Sequence, residues 1–300
     1  MKKQSVSSVK DRLMNRSRAN GKTMQELLVL YGLERTIYRL SVSKYADYFT
    51  LKGGIFLYAV FEGKFTRATT DIDLLAQHIS NDTEEIKRVF FDIFSIDTED
   101  PLRFDMDSLD ARAITEFKEY HGVNVSIMAY LDKTRIPISI DVGFGDVIVP
   151  SRIELAFPVI LSDDNPKVYA YSLASCVAEK FEAIVSLGYD NSRFKDFYDL
   201  YILAVNHDFD GNELLSAMIE TFTHRGTKLD DIVAFEDGFA TEKLRQTRWI
   251  AFVKKKKTMM NVTLQETIDM IRCFVEPVIH GIEGHNSLPK RWNHEKCIWE

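Results

Sequence analysis

Residues 51–77 read LKGGIFLYAVFEGKFTRATTDIDLLAQ, and this stretch decides the fold. Gly53 and Gly54 interrupt the chain before an apolar run at residues 55–61, which is typical of a buried helix. Ile72–Ala76 then has the length and composition of a short strand. A glycine turn, a helix and a strand that begins with acids therefore form the centre around which the other segments are placed.

The segments around this centre change from mixed to helical along the chain. Upstream, apolar spacing predicts a helix at 23–40, a short helix at 43–49, and either a loosely held arm or a first helix at 1–20. Downstream, residues 80–82 cap a helix with Glu84 and Glu85 in its first turn. Alternation predicts strands at 123–131 and 136–142, joined as an antiparallel hairpin, and shorter strands at 153–157 and 168–171. Helical spacing then recurs at 173–187, 194–206, 212–223, 241–253 and 264–280.

A mixed sheet followed by helices favours the α+β class. We predict an N-terminal domain of residues 1–168, which holds the sheet, and a helical C-terminal domain of residues 169–300. The active cleft is expected where the two domains meet.

The bulk composition is that of a globular enzyme. The 300 residues are 45% apolar and carry a formal charge of −7, which argues weakly against a dedicated nucleic-acid coat. No run of about 18 uncharged apolar residues occurs, so no membrane partner is expected, and the polar N-terminus does not resemble a secretory signal. Three scattered cysteines, Cys176, Cys273 and Cys297, predict reduced thiols, two of them buried, in a cytoplasmic protein.

One local patch departs from the acidic average. Lys243, Arg245, Arg248 and residues 254–257 form a basic cluster. Nucleic acid responds to local rather than net charge, so this cluster is a candidate contact for phosphates. The alternative is a solvated helix end.

Asp71 and Asp73 lie two residues apart on the predicted strand, so both carboxylates should project from one face about 7 Å apart. Ile72 and Leu74 would then face the core. Such a pair can share one or two Mg²⁺ ions, which prefer oxygen ligands and leave positions for phosphate. Two ions can hold the attacking and leaving oxygens of an in-line displacement. Taken alone, acidic pairs at strand ends are usually solvated.

Two further features give these acids a context. Gly53-Gly54 lets the backbone approach a phosphate through its N–H groups, although a plain tight turn has the same sequence. Asp141 lies in the strand segment ISIDVGFGD, opposite the apolar stripe, where an acid is costly unless it is paired or solvated at a site. Together these features indicate nucleotidyl transfer, with Asp141 as the base or third metal ligand for the attacking hydroxyl.

The helical half supplies candidate cations. Lys180 lies on one predicted helix, and the next begins with Arg193-Phe194-Lys195-Asp196 and continues to Asp199. Cations at these places can offset the charge that develops on a triphosphate. For Lys195 and Asp199 the alternative is a routine surface ion pair.

These motifs, in this order, resemble the AbiEii/AbiGii toxin family, which comprises nucleotidyltransferase-like proteins of bacterial abortive-infection and type IV toxin–antitoxin systems. The resemblance covers roughly residues 25–205. It rests on ERTIYRLSVSKYADYFTLKGGIFL, RATTDIDLL, IDVGFGD, EKFEAI and NSRFKDFYDLYIL.

The resemblance implies a polymerase-β-like minimal nucleotidyltransferase core in residues 1–168, followed by a helical domain. It implies that Asp71 and Asp73, with Asp141 as a third acid, bind Mg²⁺ or Mn²⁺. The implied nucleotide-binding residues are Gly53, Gly54, Arg67, Thr69, Lys180, Arg193, Lys195 and Asp196. The turn departs from related enzymes, because Gly54 stands where they usually have serine.

The resemblance also implies partners. These are an NTP substrate, the 3′ end of tRNA as acceptor, and a cognate antitoxin protein encoded nearby. Two alternatives remain open: an NTP-binding or GTP-binding regulator with little turnover, and a kinase-like phosphotransferase on the same fold.

Overall fold

A computed structural model describes residues 4–64, 67–115, 121–161, 165–229, 231–255, 262–282 and 290–300. Their contacts divide the chain into two compact units. The first unit comprises residues 1–145 and 153–171, and the second comprises residues 146–152 and 172–300. The grouping of contacts therefore changes after Tyr171, and residues 146–152 belong with the later unit.

The first unit carries the acidic motif. Its helices are α1 (Val6–Asn20), α2 (Met24–Ser41), α3 (Gly53–Val60) and α4 (Thr83–Phe94). Its strands are β1 (Phe49–Lys52), β2 (Ile72–Ala76), β3 (Arg103–Thr115), β4 (His121–Leu131), β5 (Thr134–Phe144), β6 (Ile153–Ala156) and β7 (Lys167–Ala170). A 3₁₀ turn, Ala46–Tyr48, leads into β1.

The seven strands form one mixed sheet in the order β3-β4-β5-β2-β1-β7-β6. β2 runs parallel to β5, and β1 runs parallel to β7. The other neighbouring pairs are antiparallel. β2 therefore lies at the centre of the sheet, between β5 and β1, and the mixed sheet with its helices confirms the α+β class.

Alternating side chains determine which face of the sheet is covered. Along β5, the residues Ile136, Ile138, Ile140 and Val142 are at most 1% exposed, whereas the residues between them are more accessible. α2 packs against β5, and α4 packs against β3 and β4. α2 begins with a capping box, in which Thr23 and Glu26 each bond the backbone N–H of the other.

The second unit is mainly helical. Its helices are α5 (Leu173–Leu187), α6 (Phe194–Asn206), α7 (Gly211–Arg225), α8 (Lys243–Lys255) and α9 (Leu264–Ile282). Three short strands, β8 (Phe209–Asp210), β9 (Arg291–Asn293) and β10 (Ile298–Trp299), form a small antiparallel sheet in the order β10-β9-β8. The rings of Phe274, Trp292 and Trp299 pack against one another with centroids 5.0 to 6.0 Å apart.

Most of the predicted elements are confirmed. α5 and α6 occupy the predicted ranges 173–187 and 194–206, and the hairpin of β4 and β5 is antiparallel as expected. Residues 6–20 are a helix rather than a loose arm. Within the described ranges, no helix is long and apolar enough to cross a membrane.

The short helix predicted at 43–49 is confirmed in part. Ala46–Tyr48 form a 3₁₀ helix, whereas residues 43–45 form a bend and a turn, and Phe49 begins β1, whose backbone pairs with β2 and β7. One prediction is wrong. Of the three cysteines only Cys176 is buried, while Cys273 is exposed and Cys297 is half-buried. β3 and the small sheet of the second unit are elements that the sequence pattern does not predict.

Candidate active site

Of the two acids predicted on the strand, Asp73 lies in β2 as the alternation predicts, and Asp71 precedes it. In β2, Ile72 and Leu74 are each 1% exposed, and Asp73 between them is half-buried on the opposite face. In the parallel pairing of β2 with β5, Asp73 lies directly opposite Asp141. Residues paired in this way project from the same face of neighbouring strands, about 4.8 Å apart. The structure therefore brings Asp73 and Asp141 together.

Asp71 immediately precedes β2 and is half-buried. The Thr69 hydroxyl donates to the Asp71 carboxylate, with Oγ1 3.2 Å from Oδ1. Thr69 itself is buried, so this bond restrains Asp71 from the side of the preceding loop.

The glycine turn lies against the acids. Gly53 has a φ of +67°, and a Cβ placed on it would lie only 1.9 Å from Oδ2 of Asp73. The backbone N–H of Gly54 is directed at the same oxygen, with its nitrogen 3.4 Å away. A Cβ on Gly54 would lie 2.9 Å from Oγ1 of Thr69 and 3.1 Å from a guanidinium nitrogen of Arg67. Five of the predicted site residues, Gly53, Gly54, Arg67, Thr69 and Asp73, therefore adjoin at the start of α3.

Two residues that sequence reasoning missed lie in the same row across the sheet. Asn124 on β4 is opposite Asp141, and Lys52 on β1 is opposite Asp73. The side-chain amide of Asn124 donates to Oδ1 of Asp141 at 2.6 Å and to Oγ of Ser139 at 2.9 Å. Asn124 thus fixes the orientation of the Asp141 carboxylate. The sequence offers no signal for Asn124, because it stands at an outward-facing position of β4, where a polar residue is ordinary.

The donor set fits a divalent cation that arrives with a nucleotide. Among the described residues, no group of three or more His, Cys, Asp or Glu side chains forms a ready metal cage. Mg²⁺ does not require one, because it keeps several waters and is usually held by one or two carboxylates together with substrate phosphates. Asp73 and Asp141 on neighbouring strands, with Asp71 two residues away, offer oxygen ligands of that kind.

In the second unit, Lys180 on α5 is held by two carboxylates of α6. Its Nζ lies 2.6 Å from Oδ2 of Asp199 and 3.3 Å from Oδ1 of Asp196. Both aspartate side chains are at most 2% exposed. Arg193 donates through Nε to Asp196 at 2.7 Å, whereas Lys195 is exposed. Asp199 is therefore part of a buried ion cluster, and its interpretation as half of a surface pair is wrong.

A second, partly buried ion cluster involves the acids of the EKFEAI segment. The Arg225 guanidinium lies 3.0 Å from Asp146 and from Glu179, and 2.8 Å from Glu182. Burial opposes a charge here, but these three carboxylates raise the pKa of Arg225 above its ordinary value. The cluster joins α7 to α5 and to the segment at 146–152.

The predicted basic cluster is only in part a surface feature. Arg245 is buried, and it donates to the backbone carbonyls of Phe239 at 3.1 Å and Tyr189 at 3.2 Å. Its inclusion in a nucleic-acid contact is therefore wrong. Lys243, Arg248, Lys254 and Lys255 are exposed, and residues 256–257 lie outside the described residues.

Comparison of the sequence with known families identifies the chain's relatives. Residues 35–262 match the family described as nucleotidyl transferase AbiEii toxin, Type IV TA system. The chain belongs to this family. It is therefore a nucleotidyltransferase. The resemblance described for residues 25–205 is confirmed from residue 35 onward.

Two solved structures from Helicobacter pylori resemble the AbiEii chain. A "putative nucleotidyltransferase" has a TM-score of 0.51 and 14% identity, covering 88% of this chain and 99% of that one. JHP933 has a TM-score of 0.44 and 14% identity, covering 87% and 98%. At this identity the first likeness concerns the fold alone. No curated protein sequence matches the chain.

The AbiEii match contains every residue proposed for the site. It begins within α2 and ends before α9, so α1, α9 and the strands β9 and β10 lie outside it.

Proposed function

We propose that this AbiEii-family chain transfers a nucleotidyl group from an NTP to the 3′ end of tRNA and depends on Mg²⁺ for activity. The observation that carries the proposal is the register of Asp73 with Asp141, beside a glycine turn packed on Asp73. Carboxylates beside the backbone N–H groups at the start of a helix suit a metal-bound triphosphate.

In the proposed reaction, the 3′-hydroxyl oxygen of the acceptor forms a bond to the α-phosphorus of the NTP. The bond from that phosphorus to the bridging oxygen breaks, and pyrophosphate leaves. Asp141 takes the hydroxyl proton, and the amide of Asn124 holds the Asp141 carboxylate in one orientation. Gly53 and Gly54 allow phosphate oxygens to approach the start of α3, where backbone N–H groups favour anions.

The proposed ligands of Mg²⁺ are Asp71, Asp73 and Asp141, and Mn²⁺ can take the same oxygen ligands. The ion would supply positive charge that offsets the charge developing on the phosphoryl oxygens. Further contacts to the nucleotide are proposed for Arg67, Thr69, Lys180, Arg193, Lys195 and Asp196. Lys180 would act as the phosphate-neutralising cation, in addition to holding its two aspartates.

The cellular part of the proposal concerns translation. A nucleotide added to the 3′ end would keep tRNA from being charged, which accords with a toxin. The chain would act in the cytoplasm, where NTPs and tRNA are present. A cognate antitoxin encoded beside it would relieve the effect, as its type IV family implies.

The test uses total tRNA and each of the four NTPs, labelled on either the α- or the γ-phosphate. We expect α-label on tRNA and release of pyrophosphate with at least one NTP. γ-Label on the acceptor with release of nucleoside diphosphate would favour the phosphotransferase, and binding without either product would favour the regulator.

Substitution of the acids provides the first prediction. Asp71→Ala and Asp73→Ala should each abolish label transfer, because the metal ion that would bind the phosphates loses an oxygen ligand. Their thermal melts should barely change, since removing one of several crowded like charges does not weaken the fold. Glu154→Ala, an exposed acid on β6 of the same sheet, is the matched control and should keep full activity. Wild-type turnover in both aspartate variants would place the site elsewhere.

A further inference from the structure

Helix α8 has one buried and one exposed face. The buried face presents Arg245 and Trp249, and Trp249 donates through Nε1 to the carbonyl of Val262 at 3.0 Å. Its ring packs with those of Phe194 and Phe252, with centroids 6.0 and 5.7 Å away. The apolar side of α8 is therefore already used inside the second unit.

The exposed face is strongly basic. It carries Lys243, Arg248, Lys254 and Lys255, and residues 243–255 contain no Asp or Glu. The preceding acid, Glu242, lies 3.1 Å from the buried Arg245 and is paired with it. Lys243 and Lys254 are about 16 Å apart along the helix at 1.5 Å per residue. A chain with a formal charge of −7 thus concentrates four exposed cations on one helix.

We propose that this exposed face of α8, defined by Lys243, Arg248, Lys254 and Lys255, binds the phosphate backbone of the RNA acceptor. The identity of the RNA rests on the proposed function. Charge complementarity supports the assignment, because four exposed cations distributed over this length of helix can contact several phosphates. An anionic lipid surface fits less well, because interfacial helices insert an apolar face and the aromatic rings of α8, Trp249 and Phe252, pack inside the second unit.

Two exposed apolar side chains lie among these cations. Leu244 is 53% and Ile250 is 64% exposed. If phosphate charge rather than apolar contact governs the interaction, Ile250→Ala should leave RNA binding unchanged. A protein partner docked on this face would instead depend on these two residues.

The test is binding of the full-length chain to in vitro transcribed tRNA, measured by filter retention across a series of salt concentrations without NTP. In the α8 variant, Lys243, Arg248, Lys254 and Lys255 are replaced by Gln, which forms helices about as well as Lys and Arg. A control variant replaces four exposed lysines elsewhere, Lys64, Lys133, Lys167 and Lys296, by Gln. Both variants lose four positive charges. Their melting temperatures are measured first, and if that of the α8 variant is lower than the wild type's, the double variant Lys254→Gln with Lys255→Gln replaces it.

We expect the α8 variant to bind tRNA about tenfold more weakly or worse, with a salt slope smaller by about 3, because each lost phosphate contact removes close to one unit. The control should retain the wild-type slope. In the transfer assay, KM for tRNA should rise while KM for NTP and kcat stay within about twofold.

Three results would overturn the inference: unchanged binding by the α8 variant, equal loss in the control, or wild-type protein that ignores tRNA and binds phosphatidylserine vesicles. tRNA binding that depends on α8 without any label transfer would sustain the inference and count against the proposed function.

Discussion

At Gly53, backbone conformation and the position of a carboxylate are set together. The residue has a φ of +67°, and the space that a Cβ would need is occupied by Asp73. We predict that Gly53→Ala lowers the free energy of unfolding by more than the roughly 1 kcal/mol that a left-handed alanine costs, because Asp73 must also move. Nucleotidyl transfer should be lost with it. Urea unfolding followed by far-UV circular dichroism and the label-transfer assay measure the two effects.

Gly21 is the matched control for this substitution. It has a φ of +66°, and among the described residues, its chain neighbours aside, no atom lies within 4 Å of the place where its Cβ would be. Gly21→Ala should therefore cost only the left-handed strain of about 1 kcal/mol and keep full activity. Equal effects of the two substitutions would mean that the contact with Asp73 has no consequence.

The residues of the acidic motif could be found from the sequence, but the residues opposite them on neighbouring strands could not. Alternation identifies Asp73 and Asp141 as outward-facing on their own strands. It does not say which residues stand beside them, because register is set by pairing between distant segments. Asn124 and Lys52 enter the row only through that pairing. Proximity of Asp73 to Gly53 is likewise a property of the pairing of β1 with β2.

The buried ion cluster of Lys180, Asp196 and Asp199 connects α5 to α6 and should contribute to stability. Lys180→Ala would leave Asp196 and Asp199 buried without their shared cation, which typically costs about 3 kcal/mol or more. Transfer activity should fall as well, by roughly a hundredfold if the ammonium also neutralises phosphate. Lys180→Arg should restore part of both.

Lys195→Ala on α6 is the companion variant, because this lysine is exposed and its loss should change stability by less than about 0.5 kcal/mol. Chemical denaturation gives both values. A Lys180→Ala protein as stable as the wild type would show that the cluster does not hold α5 to α6.

The contact between α2 and the segment after β6 should make the stability of the fold depend on pH. Glu34 is 1% exposed, and it accepts a hydrogen bond from the backbone N–H of Ile160 at 2.6 Å. Burial raises the pKa of Glu34 from 4.5 to about 7. The folded state therefore holds a proton that the unfolded state releases, so this residue's contribution to stability falls as pH rises from 4.5 through 7.

Glu34→Gln keeps an acceptor for Ile160 and removes the ionisation. The wild type should lose about 3 kcal/mol of unfolding free energy relative to the variant between pH 4.5 and 7. His207, whose pKa is lowered by burial, has the opposite dependence on pH, but it is common to both proteins and cancels in the difference. Parallel stability curves for the two proteins would contradict the prediction.

At the level of elements, length and regular periodicity decided what could be predicted. α5 and α6 are long and amphipathic, and their bounds follow from the sequence. β1 has only four residues and directly follows the 3₁₀ helix Ala46–Tyr48. The helical spacing at residues 43–49 therefore runs into the start of the strand. β3 has a register shift between Asp105 and Asp110, which interrupts the alternation that would have revealed it.

For the whole molecule, the prediction concerns growth. Expression of this chain alone should slow bacterial growth, because tRNA with a blocked 3′ end cannot support translation, and co-expression of the proposed antitoxin should restore growth. Growth curves of the wild type and Asp71→Ala, at equal protein levels, measure the effect. Growth arrest that persists in Asp71→Ala would contradict a catalytic toxin. Normal growth with a wild-type protein that is active in vitro would also contradict it.

The placement of the aromatic residues gives each unit its own optical signal. All three tryptophans, Trp249, Trp292 and Trp299, belong to the second unit. Intrinsic tryptophan fluorescence therefore reports on that unit, while circular dichroism reports on both. Gly53 and Glu34 belong to the first unit. If residues 1–168 and 169–300 are separate folding domains, Gly53→Ala will shift the dichroism transition and leave the emission transition in place; if they unfold cooperatively, both will shift together.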